Sequence, residues 1–477
     1  MNRIFKNTSF LFSAHLIGRL GSLVITVWLM PRYFSESEFG GYFVAIALTS
    51  LVASLTELGI QNPLIREMTL HLQQTRHYLG NALIVRCILS LIAYSIMIVS
   101  GIYLYTPIIV EMIVFLGLAE IANSLAQLYR CVFRAHEDMK YEALTVIAER
   151  AGFLLIGGGA ILFDYGLVAV CQATLIASCI NLILSVGFTR FRFTPLRFKP
   201  SQETVKVLMQ QALPFAIGNL FHLLYFRVDA ILLSKLSPDG VDANAWYGLA
   251  YTIATAFTIL PGAFMMGAMF PVLSRAWERE KGRFPGAYTF GMRWMVLSGL
   301  PLAVGLSILS PEITTVLLPR TYTLDELNKV AKALQWLSWA GGLIFLTTAV
   351  LSVLRATDKR RAFSVLMGAT ALLNICLNLY LVPRSSHVGA AIAMVISEAF
   401  LLIFGIGYIS RNIVGFRETP LIFRTLLKAG VLSGMMGIGL TLLKGFLSIW
   451  VLIPLAVLFY GGGTAILGEF RERLRFD

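Results

Sequence analysis

The sequence has 477 residues, of which 57% are hydrophobic and only 14% are charged. Soluble globular domains carry about a quarter charged residues, so this composition excludes a soluble enzyme or binding domain as the bulk of the chain. The formal net charge of +13 would by itself suit nucleic acid or an anionic surface. The basic residues are instead concentrated in short loops between long apolar runs, which is typical of a protein that spans a membrane.

Apolar runs long enough to cross a bilayer recur along the whole chain. A hydrocarbon core about 30 Å thick needs about 20 helical residues, since each residue adds about 1.5 Å. The sequence predicts an all-α integral membrane fold with fourteen spans, and we expect the first span to be an uncleaved helix rather than a signal peptide. The approximate limits of the spans are 9–31, 39–60, 81–104, 107–130, 142–163, 165–187, 208–234, 245–270, 288–310, 333–354, 362–383, 388–410, 424–443 and 448–467.

The basic residues indicate how these spans are oriented. With both termini placed on one side, the loops of that side hold 26 Lys and Arg residues, and the loops of the other side hold 7. Because cytoplasmic loops are enriched in Lys and Arg, both termini are predicted to be cytoplasmic. The alternation holds in every loop, which favours an even number of spans.

The two halves of the chain share short motifs at matching helix ends. Arg86 of span 3 pairs with Arg293 of span 9, and Phe133–Ala135 after span 4 pairs with Leu354–Ala356 after span 10. Both members of each pair fall on the same predicted membrane side, so we expect a parallel repeat of two six-helix lobes. The predicted divisions are an N-terminal lobe at 1–188, a cytoplasmic linker at 189–207, a C-terminal lobe at 208–410, and two extra helices with a basic tail at 411–477.

Arginines inside the predicted spans are the strongest functional signal. An ionisable group at membrane depth costs at least about 2.5–3.5 kcal/mol and usually faces a cavity or a partner. If these arginines converge, they line a cationic cavity suited to pyrophosphate, because guanidinium stays charged and donates bidentate hydrogen bonds. The alternatives are snorkelling to the headgroups or a structural ion pair. The five arginines are Arg19, Arg86, Arg150, Arg227 and Arg293.

Carboxylates also occur at membrane depth. A buried carboxylate can bind a proton or a sodium ion, or it can serve as the counter-ion of an arginine. Arg150, for example, can be balanced by adjacent Glu149 or by Glu120 of span 4. The four candidates for ion coupling or charge balance are Asp229, Glu120, Glu398 and Glu57.

Motif searches give no enzyme signature, no metal-ligand cluster and no cofactor site other than these proton or sodium candidates. A membrane-embedded O-antigen polymerase or ligase usually has a large outer loop, whereas the largest predicted outer loop here is about 311–332. A drug or cation antiporter would need an acidic cavity, whereas the deep charges lean basic. A scaffold without transport leaves the paired lobes unexplained. We therefore expect that the protein is not an enzyme.

The chain resembles the Wzx-type polysaccharide or O-antigen flippases of the multidrug/oligosaccharidyl-lipid/polysaccharide (MOP) exporter superfamily over essentially its whole length. The motifs that carry the resemblance are Phe39–Tyr42, Phe133–Ala135, Met139–Tyr141, Leu213–Asn219, Phe226–Asp229, Trp246–Ala250 and Gly389–Ala391. These motifs are loose, so they identify the superfamily better than the substrate.

The resemblance implies two lobes in a V that open alternately to either side, around a central cavity that the five arginines would make cationic. It implies export of an undecaprenyl-pyrophosphate-linked oligosaccharide, such as an O-antigen, capsule or exopolysaccharide unit, across the cell inner membrane. The expected partners are the lipid-linked oligosaccharide, membrane lipids, and a polysaccharide polymerase and chain-length regulator, with no nucleic acid.

Overall fold

The computed structural model describes residue 18 and residues 21–57, 59–193, 200–319, 322–415 and 419–468. These residues form helices joined by short turns, and no β-strand occurs among them. Helices are the expected outcome of the apolar runs, because a backbone surrounded by hydrocarbon must satisfy its own N–H and C=O groups. The predicted all-α membrane fold is therefore confirmed.

The described α-helices are numbered here in chain order. The first eight are α1 Glu36–Glu57, α2 Gln61–Leu70, α3 Thr75–Leu104, α4 Pro107–Ala135, α5 Met139–Gly152, α6 Gly158–Leu162, α7 Leu167–Phe188 and α8 Gln202–Leu236. The next nine are α9 Asp242–Thr255, α10 Ile259–Gly262, α11 Phe270–Arg279, α12 Phe284–Ile308, α13 Ser310–Leu317, α14 Leu324–Ala356, α15 Arg360–Ile409, α16 Thr419–Leu443 and α17 Ile449–Ile466. Segments of π-helix precede, interrupt or extend several of them, at Val24–Leu29, Phe153–Gly157, Thr189–Phe193, Ala263–Met269 and Ser410–Val414.

Eleven helical stretches in the described part of the chain are long and apolar enough to cross a membrane. One of them contains α15, which is two helices joined across Ser386, whose φ of 48° and ψ of −133° are not helical. α8 is not among the eleven, and residues 9–17 and 19–20 of the first predicted span lie outside the described residues. The predicted number of fourteen spans therefore stays a prediction.

Several helices begin and end close to the limits of the predicted spans. Spans predicted at 107–130 and 448–467 correspond to α4 and α17. α14 begins nine residues before the predicted limit, because Thr323 and Glu326 form a capping box in which each side chain bonds the other residue's backbone N–H. The predicted outer loop at 311–332 thereby contains α13 and the first turns of α14, with only a short connection between them.

The internal repeat is visible in the backbone. After α4, the N–H groups of His136, Glu137 and Asp138 bond the carbonyls of Val132, Arg134 and Phe133, and the turn after α14 repeats this pattern with every number raised by 221. Glu137 and Asp358, at the same place in the two turns, have φ of 56° and 54°. The predicted pairing of Phe133–Ala135 with Leu354–Ala356 is thus matched by equivalent turns.

The predicted pairing of Arg86 with Arg293 is wrong by two residues. α2 and α11, the following 3₁₀ turns, and the starts of α3 and α12 correspond with a constant offset of 209. Because an uninterrupted helix contains no insertion, this offset pairs Arg86 with Met295. Two residues along a helix turn a side chain by about 200°, so the two arginines occupy different faces.

The chain divides into two compact units, Met1–Lys235 with Asp239–Ala245, and Leu236–Pro238 with Trp246–Asp477. α8 packs within the first unit, where Ser201 N–H donates to Asn81 Oδ1 at 2.8 Å. At its other end, Tyr105 Oη and Ser234 Oγ lie 3.0 Å apart. The predicted boundaries of the two lobes, the linker and the extra helices stay a prediction.

Candidate functional site

Arg150 lies near the end of α5, about 16 Å along the helix axis from its first residue. The side chain is exposed, and its aliphatic stem packs against Gly18. A methyl group on Gly18 would come within 2.7 Å of Arg150 Cγ, so the small residue is what allows this approach. The π-helical segment Phe153–Gly157 follows at once, and such segments are frequent at functional sites.

Four of the candidate residues form a group in the first unit, which we call the charge cluster: Glu57, Glu120, Arg150 and Arg227. Glu120, at the middle of α4, interacts electrostatically with Arg227 of α8 and with Arg150. Glu57 at the end of α1 acts on the same carboxylate with the opposite sign. The structure thus brings Glu57, Arg150 and Arg227 within electrostatic range of Glu120.

Arg86 of α3 is completely buried, with 0% of its surface exposed. Its Nη1 donates to Ser124 Oγ at 3.0 Å and to Thr56 Oγ1 at 3.5 Å. Its Nε and Nη2 have no hydrogen-bond partner. Arg86 therefore neither reaches the headgroups nor lines an open cavity in this conformation.

Glu149 is engaged with residues other than Arg150. Its Oε2 accepts from Arg130 Nη2 at 3.3 Å and from Asn181 Nδ2 at 2.8 Å. Asn181 also donates to Asn123 Oδ1 at 3.1 Å. Of the two acids weighed as counter-ions of Arg150, Glu149 forms an ion pair with Arg130, whereas Glu120 belongs to the charge cluster.

These contacts belong to a polar ladder on α4 that sequence reasoning missed. Its rungs recur every three or four residues, which places them on one side of a helix. Further along it, Arg134 bonds both carboxylate oxygens of buried Glu142, a bidentate pair. The predicted span ends at 130 and leaves Arg134 in a loop, whereas the spacing of polar residues from 120 to 134 is the signal that reveals the ladder. The rungs are Glu120, Asn123, Gln127, Arg130 and Arg134.

Asp229 lies two residues after Arg227 on α8 and belongs to the first unit. It is buried, whereas Arg227 is partly exposed. This difference agrees with the expectation that the two side chains leave the helix on different faces.

Two candidates belong to the second unit. Arg293 of α12 is buried. Glu398 of α15 is 1% exposed, and its Oε2 accepts a hydrogen bond from Thr347 Oγ1 of α14 at 2.8 Å. This hydrogen bond is a polar contact of the predicted coupling residue within the second unit.

Arg19 lies outside the described residues, although its neighbour Gly18 is described. Among the described residues, no group of three or more His, Cys, Asp and Glu side chains is arranged to hold a metal ion.

Long apolar helices with charges enclosed between them define a multi-pass membrane protein. Residues 4–277 match the family described as polysaccharide biosynthesis protein. This match covers more than half of the sequence, so the chain belongs to that family. Residues 214–380 also match the MatE family.

Two curated relatives are similar in sequence. The probable low-salt glycan biosynthesis flippase Agl15 of Haloferax volcanii is 24% identical over 438 residues, which cover 89% of this chain and 88% of the relative. An uncharacterized membrane protein of Methanocaldococcus jannaschii is 24% identical over 212 residues, covering 44% of this chain and 40% of the relative.

Solved structures share the fold. The lipid II flippase MurJ in an inward closed conformation has a TM-score of 0.77 at 15% identity, covering 97% of this chain and all of that one. An inward-facing multidrug resistance MATE transporter of the MOP superfamily has a TM-score of 0.65 at 14% identity, covering 83% of this chain and 95% of that one. The chain therefore has the fold of the MOP superfamily.

Proposed function

We propose that the protein is a flippase that moves an undecaprenyl-pyrophosphate-linked oligosaccharide from the cytoplasmic to the outer leaflet of the cell inner membrane. The observation that carries this proposal is the charge cluster, in which Arg150 and Arg227 act on one carboxylate of the first unit. Membership of the polysaccharide biosynthesis protein family and similarity to a probable glycan biosynthesis flippase support it.

The chemistry of the cluster suits a pyrophosphate. Guanidinium groups bind phosphate oxygens bidentately and keep their charge at any physiological pH. Arg150 and Arg227 would take the pyrophosphate, and Arg19 would join them, because its neighbour Gly18 packs on the stem of Arg150. The buried Arg86 and Arg293 would act through other residues rather than at the substrate.

Transport would proceed by alternating access, with the sugars in an aqueous cavity and the lipid tail in the bilayer. Membrane potential supplies about 2.3 kcal/mol per charge per 100 mV, which is enough to bias such a cycle. A proton or sodium ion would bind at Asp229, Glu120 or Glu398, with Glu57 as a counter-ion. Both termini would be cytoplasmic, and a polysaccharide polymerase and chain-length regulator would act on the product.

A drug or cation antiporter is the second candidate, because residues 214–380 match the MatE family. Such a protein would bind cations, whereas Arg150 and Arg227 would repel them. A membrane polymerase or ligase is disfavoured, because the relatives of known function are flippases and transporters.

Mass spectrometry of lipid-linked intermediates in a strain lacking the gene tests the proposal. We expect single oligosaccharide units to accumulate on the inner leaflet and to be cleared when the wild-type gene is restored. An Arg150→Ala/Arg227→Ala variant should fail to clear them, whereas Arg361→Ala, which changes an exposed arginine of α15, should succeed. Accumulation on the outer side would instead support a polymerase or ligase, and no accumulation would support the antiporter.

A further inference from the structure

Arg86 combines complete burial with incomplete hydrogen bonding. The two acceptors at its Nη1 are uncharged hydroxyl groups, and its Nε and Nη2 have no acceptor. It forms no ion pair with any residue in the described part of the chain. Ser90, one turn further along the same face of α3, also has a buried hydroxyl oxygen without a partner. A guanidinium cannot lose its proton in a protein, so this arrangement calls for a carboxylate or another acceptor in a different state of the molecule.

Glu57 is the carboxylate placed to meet that need. It directly follows Thr56, whose hydroxyl contacts Arg86, and its own charge acts on Arg86 without a hydrogen bond between them. It is the last residue of α1 and is partly exposed, and the backbone turns at Gly59 with φ of 65°. Glu57 is therefore not enclosed in the middle of a continuous helix.

Glu57 is also a member of the charge cluster, since its charge acts on Glu120 together with those of Arg150 and Arg227. Its charge thus acts at two places that differ in kind. One is the cluster, whose two arginines are exposed or partly exposed. The other is the buried Arg86, whose Nε and Nη2 have no hydrogen-bond acceptor.

We propose that Glu57 is a switch carboxylate, which turns onto the unpaired nitrogens of Arg86 when an anion occupies the charge cluster. This inference rests on the proposed function, because pyrophosphate is the anion expected there. A bound pyrophosphate repels Glu57, and a bidentate pair with Arg86 relieves that repulsion. Arg86 is thus a positioning residue, which strengthens anion binding without touching the anion.

A double-mutant cycle on the purified full-length protein tests the switch, with binding of inorganic pyrophosphate followed by calorimetry and folding checked by thermal unfolding. In Arg86→Met, Glu57 has no alternative position, so we expect affinity to fall about tenfold, a typical coupling between sites. Glu57→Gln alone should change affinity by less than about threefold, and adding it to Arg86→Met should restore most of the loss. That restoration is the result that a merely structural role of Arg86 would not give.

The matched control is Arg293→Met, which removes the buried arginine of the second unit and should combine additively with Glu57→Gln. If Glu57→Gln has the same effect with and without Arg86, the switch is refuted while the pyrophosphate site stands. If the wild-type protein does not bind pyrophosphate, the proposed function fails and the switch loses its trigger. Where Arg86→Met does not fold, Arg86→Lys serves in the same cycle, because one ammonium group cannot replace a bidentate guanidinium.

Discussion

At the scale of single residues, burial separates arginines that look alike in the sequence. Arg86 and Arg150 both interrupt apolar spans. The sequence predicts of each that it faces a cavity or a partner, because a charge at membrane depth is costly. Arg86 is enclosed between hydroxyl groups, whereas Arg150 is exposed beside Gly18. Sequence patterns give the depth of a charge but not its neighbours on other helices, so this difference could not be predicted.

Gly18 is expected to control the position of Arg150. Because a methyl group there would meet Arg150 Cγ at 2.7 Å, Gly18→Ala should displace the guanidinium and lower glycan transport several-fold, as small misplacements of binding groups do. Transport per folded molecule in vesicles is the measurement. The control is Gly159→Ala, where no atom lies within 4 Å of the added methyl, and equal transport by both variants would argue against the contact.

Thr347 is expected to stabilise the second unit through Glu398. Thr347→Val removes the 2.8 Å bond to the buried carboxylate and should lower the free energy of unfolding in detergent by about 0.5–2 kcal/mol, the range measured for hydrogen bonds between membrane helices. Thr348→Val is the matched control, because the one partner of the Thr348 hydroxyl among the described residues is the carbonyl of Ile344 on its own helix. A loss of the same size in both variants would show that the Glu398 contact adds nothing.

At the scale of helices, α4 organises the polar interior of the first unit. Its ladder reaches three other helices through Gln61 of α2, Glu149 of α5 and Asn181 of α7. Buried polar groups that satisfy one another fix the register of the helices that carry them. Of the corresponding positions of α14, 221 residues further on, only Thr348 and Arg355 are polar, so most of the ladder is not part of the repeat.

Glu149 is expected to be a stability determinant. Its pair with Arg130 is nearly buried, at 13% and 12% side-chain exposure, so Glu149→Ala leaves a buried charge unpaired and should destabilise the protein by about 3–5 kcal/mol. The pair of Glu280 with Arg283 is exposed, so Glu280→Ala should cost at most about 1 kcal/mol. Unfolding in mixed detergent micelles compares the two, and a small loss in both would show that the buried pair is not needed.

Helix positions were more predictable than helix partners. α4 and α17 agree with the limits that hydropathy predicts for them within five residues, because every residue in hydrocarbon obeys the same constraint. The prediction ends the span at 130 because charged residues normally end a span, whereas α4 continues to Ala135 and its Arg130 and Arg134 each pair with an acid from α5. The pairing of Arg86 with Arg293 failed because two isolated motifs cannot fix a helical register.

At the scale of the whole molecule, two units share a backbone plan and differ in their polar chemistry. Equivalent turns with left-handed residues follow α4 and α14, yet the charge cluster and the polar ladder belong to the first unit. A repeat conserves the packing of helices, whereas binding requires particular charges, so the repeat could be predicted from matching motifs and the location of the cluster could not.

Transport of a fluorescent undecaprenyl-pyrophosphate oligosaccharide across the bilayer of reconstituted vesicles tests the central claim most directly. The wild-type protein and Arg361→Ala should translocate the lipid. Arg150→Ala/Arg227→Ala should lose at least about tenfold in rate, as expected when a charged substrate group loses its bidentate partners. Translocation at the wild-type rate by the double variant, or none by the wild-type protein, would contradict the claim.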